Sequence, residues 1–179
     1  KKMSEVDVML KAGLSFHERG ELEQANHCYQ RVLALDAESA VAWHLSGRLA
    51  MDAGLLEEAE CFVARAAELS PEVADYALTM GTVFALVGKN DEARVWYEKA
   101  LALDGAMQEA YLGIAQTMWA ERRFGEACAL AEPLANMPGP LGVSARYLVG
   151  ECRFELEDLQ GVFKWWKAVS GVDLSSGMV

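Results

Sequence analysis

The chain has no glycine-rich phosphate loop, no HExxH and no nucleophile elbow, so the spacings that phosphoryl transfer, zinc peptidase chemistry and serine hydrolysis require are missing. Carboxylates are plentiful, but no two are paired in a plausible apolar pocket, and no catalytic residue is assigned. The four cysteines, Cys28, Cys61, Cys128 and Cys152, form no CxxC and stand at no zinc-finger spacing from a histidine. They read as single buried thiols in separate helices, which mildly favours a reducing compartment. Basic residues are outnumbered, 16 against 27 acidic, for a net charge of -11. Such a surface repels phosphate backbones and anionic lipid, so neither nucleic acid nor a membrane is an expected partner. No run reaches the length of a transmembrane helix. No signal-peptide pattern stands before the first repeat, and a cytoplasmic setting is the expectation, or a periplasmic one if Lys1 and Lys2 ahead of Met3 mark a trimmed start. No cofactor and no metal are expected.

What the chain does have is a period. Ala25, Ala59, Ala93 and Ala127 recur every 34 residues, and Gly13, Gly47 and Gly81 keep the same step, with Ala115 in the fourth slot. A second series, Gly20, Gly54 and Gly88, is broken by Arg122. Three registers on one period identify a tandem array of antiparallel helical hairpins, an architecture that usually binds proteins. With 53% hydrophobic residues over 179 positions, the chain can bury a continuous core. If the first glycine register is position 8, repeats begin at Val6, Ala40, Ala74 and Gln108. Helix pairs are expected at 6–19 and 22–35, 40–53 and 56–69, 74–87 and 90–103, 108–121 and 124–135. Position 8 must be small where helix A passes close to its neighbour, and position 20 must be small on helix B for the same reason. Position 24 fills the gap with Tyr29, Val63, Tyr97 and the smaller Ala131. The turn glycines end helix A in a left-handed conformation. Glu21, Glu23, Glu57, Glu58, Asp91, Glu92 and Asp158 cluster at the starts of B helices, where carboxylates offset the helix dipole.

The stretches "AWHLSGRLAMDAGLLEEAECFVARAAELSP" and "ALTMGTVFALVGKNDEARVWYEKALALD" resemble the tetratricopeptide repeat family. Trp43 and Tyr111 stand at that family's position 4, Phe16 and Phe84 at its position 11. The resemblance implies an all-α fold, a right-handed α-solenoid of hairpins in which helix A lines a concave groove. Pro133 falls inside helix B of the fourth repeat and "NMPGPLG" follows it, so a break is expected there. A degenerate fifth repeat or modified cap should resume at about 142–156 and 158–169, with Gly150 at position 8, Trp166 at position 24 and one residue inserted. Residues 171–179 read as a tail.

By the same resemblance, helix A positions 2, 5, 9 and 12 build the concave face. Position 5 gives Leu10, His44, Leu78, Leu112 and Tyr147; position 9 gives Leu14, Arg48, Thr82, Gln116 and Glu151; position 12 gives His17, Met51, Ala85, Trp119 and Phe154. Position 2 adds Asp7, Val41, Asp75, Glu109 and Ser144. A mostly apolar floor beside a polar stripe suits a peptide or an amphipathic helix. Leu78, Leu112, Trp119, Tyr147 and Phe154 are the expected anchors, and His44, Arg48 and Gln116 the orienting hydrogen-bonders. Exchanging Leu78 and Leu112 for Asp should then abolish binding while leaving helicity intact. The family's two-carboxylate clamp, built on Lys at position 5 and Asn at 6 and 9, is not assembled: those slots hold Leu10, Lys11 and Leu14, then His44, Leu45 and Arg48. Arg48 alone suits a carboxylate, or instead pairs with Asp52 on the next turn. His17 and His44, facing each other near Glu18 and Asp52, would be the place for a metal or pH-sensing site; two polar groove residues are the preferred reading. Trp165 and Trp166, adjacent on one helix, cannot share a face and mark a second contact site. The expected function is a non-catalytic scaffold binding a partner peptide, in a bacterial secretion, assembly or envelope-polymer system. The rival classes are a cytosolic chaperone resembling those of type III translocators, and an array that associates with itself through its C-terminal end.

Overall fold

The structure, a computed structural model, describes residues 4–170, and the side chains of Leu159, Trp166, Ala168, Val169 and Ser170 lie outside what it describes. The expected tail at 171–179 lies outside it too. All regular structure among the described residues is helical: α1 Glu5–Glu18, α2 Leu22–Leu35, α3 Ala40–Asp52, α4 Leu56–Leu69, α5 Ala74–Leu86, α6 Asn90–Leu103, α7 Gln108–Ala120, α8 Phe124–Ala131, a 3-10 turn Glu132–Asn136, α9 Gly139–Glu155 and α10 Leu159–Ser170. Two compact units divide the chain at Gly105 and Ala106. The first holds hairpins α1–α2, α3–α4 and α5–α6; the second holds α7–α8 and α9–α10.

Each odd-numbered helix stops by the same device. In the first hairpin the N–H of Gly20 donates to the His17 carbonyl and that of Glu21 to the Phe16 carbonyl. The same pair of bonds recurs at Gly54 and Leu55, at Gly88 and Lys89, at Arg122 and Arg123, and at Glu157 and Asp158. This is a Schellman stop, whose central residue must have positive φ. Gly20, Gly54 and Gly88 sit at φ 76°, 75° and 78° without strain. Arg122 at 62° and Glu157 at 59° adopt the same conformation with a Cβ, against a steric cost of roughly 1–2 kcal/mol. The break in the glycine series is therefore a break in composition and not in structure. Arg122→Gly is expected to raise stability by about 0.5–1 kcal/mol, the relief being partly offset by the greater chain entropy of glycine when unfolded. Chemical unfolding of the two proteins side by side checks it; a variant less stable than wild type would contradict it.

The small residues at position 8 lie under position 24 of their own hairpin. A Cβ on Gly13 would meet Tyr29 Cε1 at 2.5 Å, one on Gly81 would meet Tyr97 Cδ1 at 2.6 Å, and one on Gly47 would collide with Val63 Cγ2. The fourth hairpin has small residues on both sides, Ala115 and Ala131, both fully buried. Ala25, Ala59, Ala93 and Ala127 at position 20 are also fully buried. Ala93→Leu should overpack its hairpin and cost about 1–3 kcal/mol; a thermal midpoint unchanged from wild type would contradict this.

Pro133 acts as expected, but earlier in the helix. α8 ends at Ala131 and the chain tightens into the 3-10 turn Glu132–Asn136, because proline offers no N–H to an α-helical ladder and crowds the preceding turn. The next helix starts at Gly139, before the expected 142, since Pro140 is acceptable in a first helical turn. The turn is clamped to α9 by Arg153 Nη2 donating to Glu132 Oε1 at 2.5 Å and by Arg146 Nη1 donating to the Ala135 carbonyl at 2.7 Å. The Arg153 guanidinium holds the Glu132 carboxyl below the usual carboxylate range.

Candidate functional site

In the first unit, contacts between successive A helices follow one rule: position n of one helix meets position n+1 of the next, 35 residues on. His44 Nε2 and Thr79 Oγ1 lie 2.8 Å apart. His17 Nε2 and Asp52 Oδ2 lie 2.7 Å apart. Leu10 packs on the cluster that contains Leu45. In the second unit, Leu112 and Leu148 share one core cluster, 36 residues apart because of the inserted residue.

This rule closes position 5. His44 is 9% exposed and Leu112 is 7% exposed; Leu10 and Leu78 are half-buried. His44 and Leu112 are therefore corrected from ligand-facing residues to core, each covered by the following A helix. The Thr79 hydroxyl donates to the Asp75 carbonyl at 2.9 Å, so its oxygen accepts from His44 Nε2–H, and the proton of the neutral ring sits on Nε2. The ring also lies 4.7 Å from that of Tyr76. Burial, with the Arg48 charge nearby, lowers the His44 pKa from 6.5 to about 4. Tyr147 in α9 is the exception at this position, being 71% exposed.

Position 9 stays open. Leu14, Arg48 and Gln116 are exposed, Thr82 and Glu151 half-buried. Arg48 does not pair with Asp52 as the spacing suggested, because Asp52 is taken by His17 from the preceding helix. The guanidinium at Arg48 is exposed, and its field opposes the burial that pushes the Tyr29 hydroxyl up to about 12. The Tyr29 hydroxyl is buried without a partner. Its counterpart Tyr97 donates to Thr82 Oγ1 at 3.5 Å, and Leu14 occupies the place equivalent to Thr82. Position 12 is mixed. His17 is engaged by Asp52, and Met51 packs on Ala50, Ala59 and Val83. Trp119 is half-buried against the second unit's core, in edge contact with Phe124 at 6.4 Å, and its Nε1 is buried without a partner. Phe154 is 61% exposed. Asp7, Val41, Asp75, Glu109 and Ser144 at position 2 are all exposed. His17 and His44 do not face each other, and no group of three or more potential metal ligands exists among the described residues.

Four of the expected residues converge in the second unit. Tyr147, Glu151 and Phe154 of α9 and Trp165 of α10 line one pocket of about 450 Å³ with Val143, Arg146, Gly150 and Val162. Trp165 is half-buried under the Arg153 guanidinium, 5.2 Å from the ring centroid. The side chain of Trp166 lies outside the described residues. Val143, Arg146, Gly150 and Val162 also line it without having been singled out as site residues in the sequence; the spacing of Val143 and Gly150 from Tyr147, one turn either way along α9, was the available signal.

Residues 10–74 match the family model described as tetratricopeptide repeat. Human tetratricopeptide repeat protein 21B is 28% identical over 94 residues. Residues 10–74 are tetratricopeptide repeats. The matched segment is 52% of this chain but only 7% of that human relative. Among solved structures, PilF of Pseudomonas aeruginosa aligns with a TM-score of 0.76 at 22% identity, over 97% of this chain and 78% of that one. YrrB, a TPR protein with an unusual peptide-binding site, aligns with a TM-score of 0.63 at 20% identity, over 88% and 80%. At these identities the likeness is one of fold: an all-α repeat solenoid.

Proposed function

We propose that this tetratricopeptide repeat chain is a non-catalytic scaffold that binds a peptide segment of a partner protein along positions 9 and 12 of its A helices. The observation that carries this reading is the contrast between the rows. Position 5 is closed in α3 and α7 by the next A helix, while position 9 one turn on is open at Leu14, Arg48 and Gln116. In the first unit, apolar Leu14 and cationic Arg48 match an extended or helical segment with an apolar anchor and one carboxylate, which a guanidinium grips in bidentate fashion. YrrB, of the same fold, is described by its peptide-binding site, and the repeat family as a whole works by protein contacts. The setting we propose is a bacterial secretion, assembly or envelope-polymer system.

A photo-activated cross-linking residue placed at Arg48, at Gln116 or at Phe154 tests the reading, with Val95 on the B helix α6, 63% exposed, as the comparison site. Irradiation in source-cell lysate should give one shared cross-linked partner at the first three sites and none at Val95. Cross-links at Val95 alone would place binding on the B-helix side and overturn the proposal.

A further inference from the structure

We infer that a cavity between α2, α3 and α4 receives an arginine side chain of a partner protein. The cavity, of about 270 Å³, opens between the first two hairpins, where α3 ends and α2 and α4 begin. Ser46 and Leu49 form its floor, Phe62 a wall, and Glu23, Asn26 and Glu58 its exposed rim. Small-molecule sites run to about 300–1,000 Å³, so this smaller space suits a single long side chain. Its size has a cause in the sequence. Position 7 is apolar in the other four A helices, at Ala12, Met80, Ile114 and Val149, and is Ser46 only here. Ala50 and Ala53 likewise stand where the next hairpin carries Phe84 and Val87. The serine is 2% exposed, and its hydroxyl has no hydrogen-bond partner. A buried hydroxyl left in that state costs free energy until a polar group reaches it.

The rim selects a cation. No lining residue is basic, and no ion pair among the described residues engages Glu23 or Glu58. The starts of α2 and α4 each bring about half a positive charge, which the first-turn carboxylates Glu23, Glu57 and Glu58 outweigh. One hairpin on, Phe84 and Lys89 stand in the places of Ala50 and Leu55, and the Lys89 ammonium lies 5.4 Å from the Phe84 ring centroid. The chain's own cation thus occupies the matching place in α5–α6, whereas Leu55 supplies none in α3–α4. A guanidinium suits the cavity better than an ammonium. Its fan of donors serves Glu23, Glu58 and the Ser46 oxygen at once, its face stacks on an aromatic ring, and it sheds water more readily. Phe62 offers that ring, braced by Trp43 at 5.7 Å between centroids. Leu49 flanks the methylene stem. The site is separate from the peptide reading, which concerns positions 9 and 12 of the A helices.

Chemical-shift titration of the whole chain with the blocked tripeptide acetyl-Gly-Arg-Gly-amide tests this, beside the same peptide carrying lysine or the uncharged isostere citrulline. The arginine peptide should move the backbone amide signals of Ser46 and Ala50 and the side-chain amide of Asn26, with a millimolar dissociation constant. Citrulline should move none of them. Glu23→Gln with Glu58→Gln should weaken binding roughly tenfold, the loss of charged partners for one guanidinium. Both residues are exposed, so the variant should keep the wild-type circular dichroism. Ser46→Met, the residue of the next hairpin, should fill the cavity and abolish binding. Arg48→Glu should leave it unchanged, so this test and the cross-linking test of the peptide site fail independently. Equal shifts with citrulline, or full binding by the double glutamine variant, overturn the inference. So does the absence of shifts up to tens of millimolar peptide. Lysine binding as tightly as arginine overturns the choice of a guanidinium.

Discussion

Leu112→Asp is expected to unfold the second unit. Leu112 is 7% exposed and shares a cluster with Ala115, Ala127, Leu148 and Cys152. The substitution removes the apolar contacts of a core leucine, worth about 2–5 kcal/mol when cut to alanine. It also places a carboxylate among the apolar neighbours of that cluster. An uncompensated buried charge costs several kcal/mol more, or forces the acid to take up a proton. The sum approaches the entire stability of an ordinary domain, about 5–15 kcal/mol. Gln116→Asp, one turn further along the same helix and exposed, should change stability by no more than about 0.5 kcal/mol. Thermal unfolding of the two variants beside wild type decides the matter. Equal, near-wild-type midpoints would mean that Leu112 faces solvent and that the assignment of position 5 to the core is wrong.

The second large effect is on acid stability. His44 titrates at about 4 in the folded chain against an ordinary value of 6.5, because the ring is buried and the Arg48 charge opposes a second one. The unfolded chain therefore binds a proton between pH 6.5 and 4 that the folded chain refuses, so stability rises with pH across that window and falls as the pH drops through it. Each pH unit is worth about 1.4 kcal/mol, so acidification from pH 6.5 to 4 should remove about 3 kcal/mol through this residue. His44→Gln keeps an N–H for Thr79 and has nothing to titrate. Urea unfolding at pH 7, 5.5 and 4.5 should show a steep decline for wild type and a shallower one for the variant, with the curves converging toward acid. Parallel curves would contradict the burial of a neutral ring. The Glu132 carboxyl, which Arg153 holds below its usual range, acts at lower pH: its contribution is lost only as the pH falls through that lowered value.

The 34-residue period made the fold legible. It located each hairpin, each small position and each turn, because those depend on one repeat at a time: a Cβ at Gly13 or Gly81 fails against a tyrosine of its own hairpin. Arg122 hid a turn whose backbone is unchanged, since a φ near 62° is tolerable for arginine at a modest cost. The candidate site was less legible. Which row of helix A faces a ligand depends on the one-residue offset between successive A helices, and that offset exists only in three dimensions. Position 5 therefore read as open, although in α3 and α7 the next helix covers it. The same offset diverted Asp52 from Arg48, four residues away on its own helix, to His17 of the preceding A helix. Pro133 was legible as a break, but not the 3-10 turn that absorbs it, because the turn is held by Arg146 and Arg153 from the following helix.

The most direct test of the account compares capture of partners from source-cell lysate, by mass spectrometry, for wild type, the pair Arg48→Glu with Phe154→Ser, and Val95→Glu on the B-helix side. All three proteins should be equally helical, since the exchanged residues are exposed. One partner should be held by wild type and by Val95→Glu and lost from the Arg48, Phe154 pair. Retention of that partner by the pair, with loss from Val95→Glu, would contradict a binding face on the A helices.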